Sequence, residues 1–171
     1  MKRIGFGQVE PNHLSAQRNG QIYAQLPANK DLKVLENGMF AKYDYANNEV
    51  NLTGEGEWML VLNEVKLYDE MWRESYKDFA LQAVNASAGE IVPRLFKTNV
   101  GDIFTTNCLE KGNTAGKVEI EMSDFEVGDK LAPNAQGFLA EAGEGAEMVW
   151  KVVKVYTMPD GQPAVKVQRV K

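Results

Sequence analysis

Apolar and polar positions along this chain alternate in short runs, and in only one place do they form a long helical stripe. "WMLVLNEVKLYD" starts with five consecutive apolar residues, Trp58 to Leu62, the pattern of a strand buried on both faces. "KVEIEM" sets Val118, Ile120 and Met122 against Glu119 and Glu121, which predicts a half-buried strand. In "LKVLENGMFAKYDY" the dipeptide Asn37-Gly38 lies between two apolar runs. Both residues tolerate positive φ, so a tight hairpin is expected there. The C-terminus predicts a second hairpin: "MVWKVVKVYT", a turn at Pro159-Asp160-Gly161, then "PAVKVQRV".

Two segments depart from this rhythm. "DEMWRESYKDFALQAVN" puts Trp72, Tyr76, Phe79, Ala80 and Ala83 on one helical face, with Asp69 as N-cap and Gly89 and Pro93 beyond the end. It predicts a helix near residues 70–85 whose aromatic face packs into the core. Residues 1–30 follow neither period and are rich in Gln, Asn, Gly and Pro. Such a stretch buries too little alone to offset its backbone entropy, so it is expected to fold onto the main domain or a neighbouring subunit. The expected architecture is mainly β, a small barrel or sandwich with one α-helix, comprising an extended arm (1–30) and a single β-rich domain (31–171).

Composition narrows the chemistry. The 171 residues are 44% hydrophobic, enough to bury a core, and the net charge is −5. That balance argues against nucleic acid as a direct partner, although a local basic patch would not show in the net figure. No run approaches the roughly 20 apolar residues that span a bilayer, so no membrane contact is expected. The N-terminal "MKRIGFGQVEPNHLS" has no apolar h-region, which points to a protein made in the cytoplasm.

Candidate catalytic groups are few. His13 is the single histidine and sits in the polar arm, where nothing positions it as a base. Cys108 is the single cysteine, so an internal disulfide or multi-cysteine metal site is excluded, and it reads as a small buried hydrophobe. "GEGE" (54–57) and "GEGAE" (143–147) carry glutamates where a phosphate cradle needs cationic company, and they read as loops. Glu141, Glu144 and Glu147 match no calcium-loop spacing. No catalytic residue, cofactor or metal site is expected.

One phrase is written twice: "NVGDIFTTN" at 99–107 and "EVGDKLAPN" at 126–134. Gly101 and Gly128 supply a bend, Asp102 and Asp129 can bond the turn's own N–H groups, and Asn107 and Asn134 follow five residues later. The economical reading is two matching strand entries; a ligand-binding pair of aspartates is the alternative.

Together the arm "GFGQVEPNHLSAQRNGQIYAQLPA" and the phrases "LENGMFAKYDY", "EWMLVLNEVKLYD", "PRLFKTNVGDIFTTN" and "VGDKLAPNAQGFL" resemble small auxiliary head proteins of tailed bacteriophages and prophages, of the decoration or cement type. The resemblance runs over most of the chain and is one of phrase order, without a catalytic signature. It implies a non-enzymatic virion protein on the capsid surface, made in the bacterial cytoplasm, with the major capsid protein and copies of itself as partners. It further implies that the arm makes shell contacts, with Phe6, Pro11, His13, Leu14, Arg18 and Tyr23 as the contact residues. Two other readings compete. One is a glycan- or host-surface-binding β module stacking sugars on Trp58, Trp72, Trp150 or the tyrosines; the other is a metal-assisted hydrolase built on carboxylates.

Overall fold

The structure is a computed structural model that describes residues 5–14, 25–63, 80–82, 91–110 and 121–171. The strands among them are β1 (Val9–His13), β2 (Val34–Glu36), β3 (Phe40–Asp44), β4 (Glu49–Asn51), β5 (Met59–Val61) and β6 (Ala80–Gln82). They continue as β7 (Leu95–Phe96), β8 (Ile103–Thr106), β9 (Lys130–Pro133), β10 (Leu139–Glu141), β11 (Trp150–Thr157) and β12 (Pro163–Arg169). A six-stranded sheet has the order β1-β8-β12-β11-β9-β10, a four-stranded sheet the order β4-β3-β5-β7, and β2 pairs with β6. The chain is therefore mainly β, as its pattern predicts. The two larger sheets are antiparallel and open-ended, consistent with a sandwich rather than a closed barrel.

The sandwich interior takes Phe40, Leu60 and Phe96 from the four-stranded sheet and Phe104, Leu131, Trp150, Val152, Val165 and Val167 from the six-stranded one. Trp150 is fully buried. Its ring meets Phe104 edge-on at 4.8 Å and 82°, and lies 5.8 Å from Phe40. Burying an aromatic side chain of this size is worth roughly 4–6 kcal/mol of transfer free energy.

Alternate residues of the four-stranded sheet, Ala41, Tyr43, Met59, Val61 and Leu95, pack into a second cluster with Leu35, Val50, Ile91 and Cys108. That sheet is buried on both faces, which is why "WMLVL" shows no alternation. Along β11 the six-stranded sheet buries one face, so Trp150 and Val152 alternate with exposed Lys151, whereas β9 and β10 bury Ala132 and Ala140 on the opposite face as well.

The C-terminal hairpin forms as expected, from Trp150↔Arg169 to Thr157↔Pro163 with a bulge between Val152 and Lys154. Gly161 turns it at φ 83°, its N–H donating to the Met158 carbonyl at 2.8 Å. The Asn37-Gly38 turn also forms, with Gly38 at φ 95°, but it closes no hairpin. Its flanking strands enter different sheets, β2 pairing with β6 and β3 with β4 and β5. The cause lies in its bonds. Gly38 N–H donates to the Val61 carbonyl at 2.9 Å, and the Asn37 amide bonds both the N–H and the carbonyl of Asn63.

Two sequence expectations change. Residues 80–82, expected within the helix, form strand β6 along Val34–Glu36; a waiting strand partner outweighs a modest local helix preference. The rest of the expected helix lies outside the described residues. So does the expected strand 117–122 as far as residue 120. Met122 does not continue it but opens a single 3₁₀ turn, Met122–Asp124, closed where the Asp124 carboxylate accepts the Glu121 N–H at 2.8 Å.

Candidate functional site

The two repeated phrases fold into the same turn. At the first, Asp102 accepts the Asn99 N–H at 2.9 Å and donates its own N–H to the Asn99 carbonyl at 3.0 Å. At the second, Asp129 accepts the Glu126 N–H at 2.7 Å and donates to the Glu126 carbonyl at 3.2 Å. Gly101 and Gly128 lie at φ 98° and 108°. Each glycine N–H bonds one hairpin carbonyl, of Arg169 and Val152 respectively, and the N–H of that same hairpin residue returns to the aspartate's carbonyl. Both turns thus plug strand entries into the open end of the β11–β12 hairpin. The aspartate carboxylates are committed to backbone N–H groups in both.

The asparagines that close the phrases are buried braces as well. Asn107 accepts the Gln8 N–H at 2.7 Å and donates to Gln162 at 3.0 Å. Asn134 accepts the N–H groups of Gln136 and Phe138, both at 3.0 Å, and donates to buried Glu110 at 2.8 Å.

The arm's described part is bound to its own body. Strand β1 lies along β8 at the edge of the six-stranded sheet. Gly7 N–H donates to the buried Glu36 carboxylate at 2.7 Å, and the Thr106 hydroxyl donates to the Gln8 carbonyl at 2.6 Å. A Cβ on Gly7 would fall 2.6 Å from the Asn37 carbonyl oxygen and 2.8 Å from Cys108 Sγ, so only glycine fits that seat. On the outer face, the Tyr156 hydroxyl sits 3.0 Å from both Glu10 and Thr105, and Thr105 donates to Asn12 at 2.7 Å. Burial pushes the Tyr156 phenol above its ordinary pKa. The Thr105 hydrogen bond opposes that shift, and Glu10 adds to it through its hydrogen bond and charge.

The expected contact residues divide accordingly. Leu14, 1% exposed, is part of the sandwich core, so it anchors the arm to its own body. Phe6 is half-buried, and Pro11 and His13 are exposed. Arg18 and Tyr23 lie outside the described residues. Cys108 is buried against Gly7 and Gly38, in keeping with a structural thiol. The socket residues Glu36, Thr105, Asn107 and Tyr156 escape sequence reasoning because they lie 29 to 146 positions from the arm residues they bond. A faint signal was present: Gln8, Glu10 and Asn12 alternate with Val9 and Pro11, a strand period interrupted by proline.

A cleft of about 530 Å³ opens beside the second repeated turn, lined by Glu110, Asp124, Asp129, Glu141, Lys130 and apolar Phe125 and Leu131 among others. Asp124 and Asp129 spend carboxylate oxygens on turn N–H groups. Among the described residues, no three His, Cys, Asp or Glu side chains are grouped to hold a metal ion. Asp102 and Asp129, the aspartates of the alternative ligand-binding reading, lie in turns that dock at different hairpin positions, Arg169 and Val152.

Of the tryptophans considered for sugar stacking, Trp150 is enclosed in the core. Trp58 is half-buried, with the Lys42 ammonium 4.7 Å from its ring centroid, and Trp72 lies outside the described residues. Comparison of the chain with protein-family models, curated proteins and solved structures finds no match.

Proposed function

We propose that the chain is a virion structural protein, a decoration or cement protein that binds the outside of a tailed-phage head shell. The observation that carries this reading is how the polar side chains are used. Asp102, Asp124, Asp129, Asn107 and Asn134 are bonded to backbone N–H groups that fix strand entries and turns. Such bracing makes a rigid β body, the property a shell-bound scaffold needs. The phrase-order resemblance to auxiliary head proteins supports the same reading. The major capsid protein is then the partner, and the outward-facing Pro11 and His13 of β1 are the arm's side of the contact.

Co-sedimentation with shells of the phage or prophage that encodes the chain tests this. The intact protein is expected to pellet with shells, and failure to do so ends the proposal. The double variant Pro11→Glu with His13→Glu leaves Leu14 in place and alters only exposed side chains. It is expected to weaken binding by about tenfold; undiminished binding removes the arm from the contact.

A further inference from the structure

The outer face of the six-stranded sheet carries a lysine cluster that the net charge of −5 conceals. Directly paired residues of an antiparallel ladder project to the same side, and so do residues two apart on one strand. Lys130 pairs with Lys151, Lys151 with Gln168, and Lys154 with Lys166. The four lysines therefore share one face across β9, β11 and β12, as two directly opposed like-charge pairs. Lys130, Lys151 and Lys154 are exposed and Lys166 half-exposed. None is ion-paired with a described residue: the ion pairs there use Lys42, Lys97 and Arg169. Lys154 rests over the Tyr156 ring at 5.0 Å. The nearby carboxylate on this face, Glu10, is held by the Tyr156 hydroxyl.

Opposed like charges on adjacent strands destabilise a sheet unless an anionic surface covers them. The same chain presents such a surface. Glu126 before β9, Glu141 at the end of edge strand β10, and Glu144 in the following turn are all exposed. Glu141 pairs with Leu131, which pairs with core residue Trp150, so it lies on the opposite side of the sheet from the lysines.

We propose that the lysine face docks the Glu126–Glu141–Glu144 edge of a second copy of this chain, head to tail. A second copy supplies the complementary charge within the sequence itself, and a contact between two different patches is heterologous, closing into a ring or extending. Nucleic acid fits less well. Among the described residues the face has no arginine, and its tyrosine is tied to Glu10 and Thr105. The inference is independent of the capsid reading, because association of the free protein requires no shell.

Sedimentation velocity of the full chain at about 50 mM and about 500 mM salt is the test. Association is expected at low salt and at least about tenfold weaker at high salt. Lys151→Glu with Lys154→Glu, and separately Glu141→Lys with Glu144→Lys, are each expected to weaken self-association by at least about tenfold. Mixing the two variants should restore association, since each then offers the charge the other lost. Circular dichroism confirms that both variants keep the β fold. A protein that stays monomeric at low salt overturns the proposal, as does association indifferent to both reversals. Single-stranded DNA binding that is lost in the lysine variant, from a chain that does not self-associate, overturns it in favour of a polyanion site.

Discussion

The turns at Asn99–Asp102 and Glu126–Asp129 share a sequence phrase and a hydrogen-bond pattern, yet they sit in different surroundings. Asp102 is 3% exposed, whereas Asp129 lies on the surface at the rim of the acidic cleft. Four residues suffice to write the turn: an N–H to be capped, an exposed valine, a glycine at positive φ and an aspartate. What the turn contributes to stability is set elsewhere, by what packs over it. Around Asp102 that includes the β12 terminus, where the Arg169 guanidinium donates to Thr98 and pairs with Glu57 at 3.1 Å.

The comparison breaks most sharply at the aspartates. Asp102→Ala removes a buried acceptor and is expected to cost about 2 kcal/mol, lowering Tm by roughly 4–8 °C. Asp129→Ala uncaps an N–H that water can reach, and is expected to cost about 0.5–1 kcal/mol, or roughly 1–4 °C. Calorimetry on the two variants measures the difference directly. Equal losses would mean that burial does not separate the turns.

The glycines sharpen the comparison from the other side. A Cβ at Gly101 or Gly128 meets no atom within 4 Å, so alanine at either pays only for the left-handed backbone. Each substitution is expected to cost about 1 kcal/mol, and the two costs should agree within about 0.3 kcal/mol. Denaturant unfolding of Gly101→Ala and Gly128→Ala checks this. A much larger loss at Gly101 would show that its turn depends on packing as well as on φ.

How much was legible in the sequence follows the same division between local and distant causes. The C-terminal hairpin, the buried run at Met59–Leu62 and the two repeated turns were readable because neighbouring residues determine them. The Asn37-Gly38 turn was readable as a turn but not as a passage between sheets, since its partners are Val61 and Asn63. Strand β6 was misread as helix because only its pairing with β2 makes it extended. Val100 and Val127, the apolar residues of the two phrases, are 67% and 68% exposed. The glycine that follows each turns the chain before either valine reaches the interior. The lysine face was invisible for another reason: its members are 3 to 36 positions apart, and only strand register gathers them.

The smallest expected effect concerns another aspartate brace, Asp44, which is partly exposed. Asp44 accepts four N–H donors: the Asn47 side chain and backbone, the Asn51 side chain and the Ala46 backbone. These bonds favour the carboxylate and hold its pKa below the ordinary 3.8, the Asn47 side chain contributing most and desolvation opposing. Because the folded pKa is depressed, the stabilisation is present above pH 3.8 and is lost as pH falls through the folded value. An NMR titration of the Asp44 carboxyl in the folded protein should therefore show a midpoint below 3.8. Asn47→Ala should raise that midpoint only part of the way, because the residue 47 backbone N–H still donates. A wild-type midpoint at or above 3.8 would show that solvent competes away all four bonds. Carboxylate bonds to nearby backbone N–H groups, which Asp44 makes forward along the chain and Asp102 and Asp129 make backward, would then hold only where the surrounding structure keeps water out.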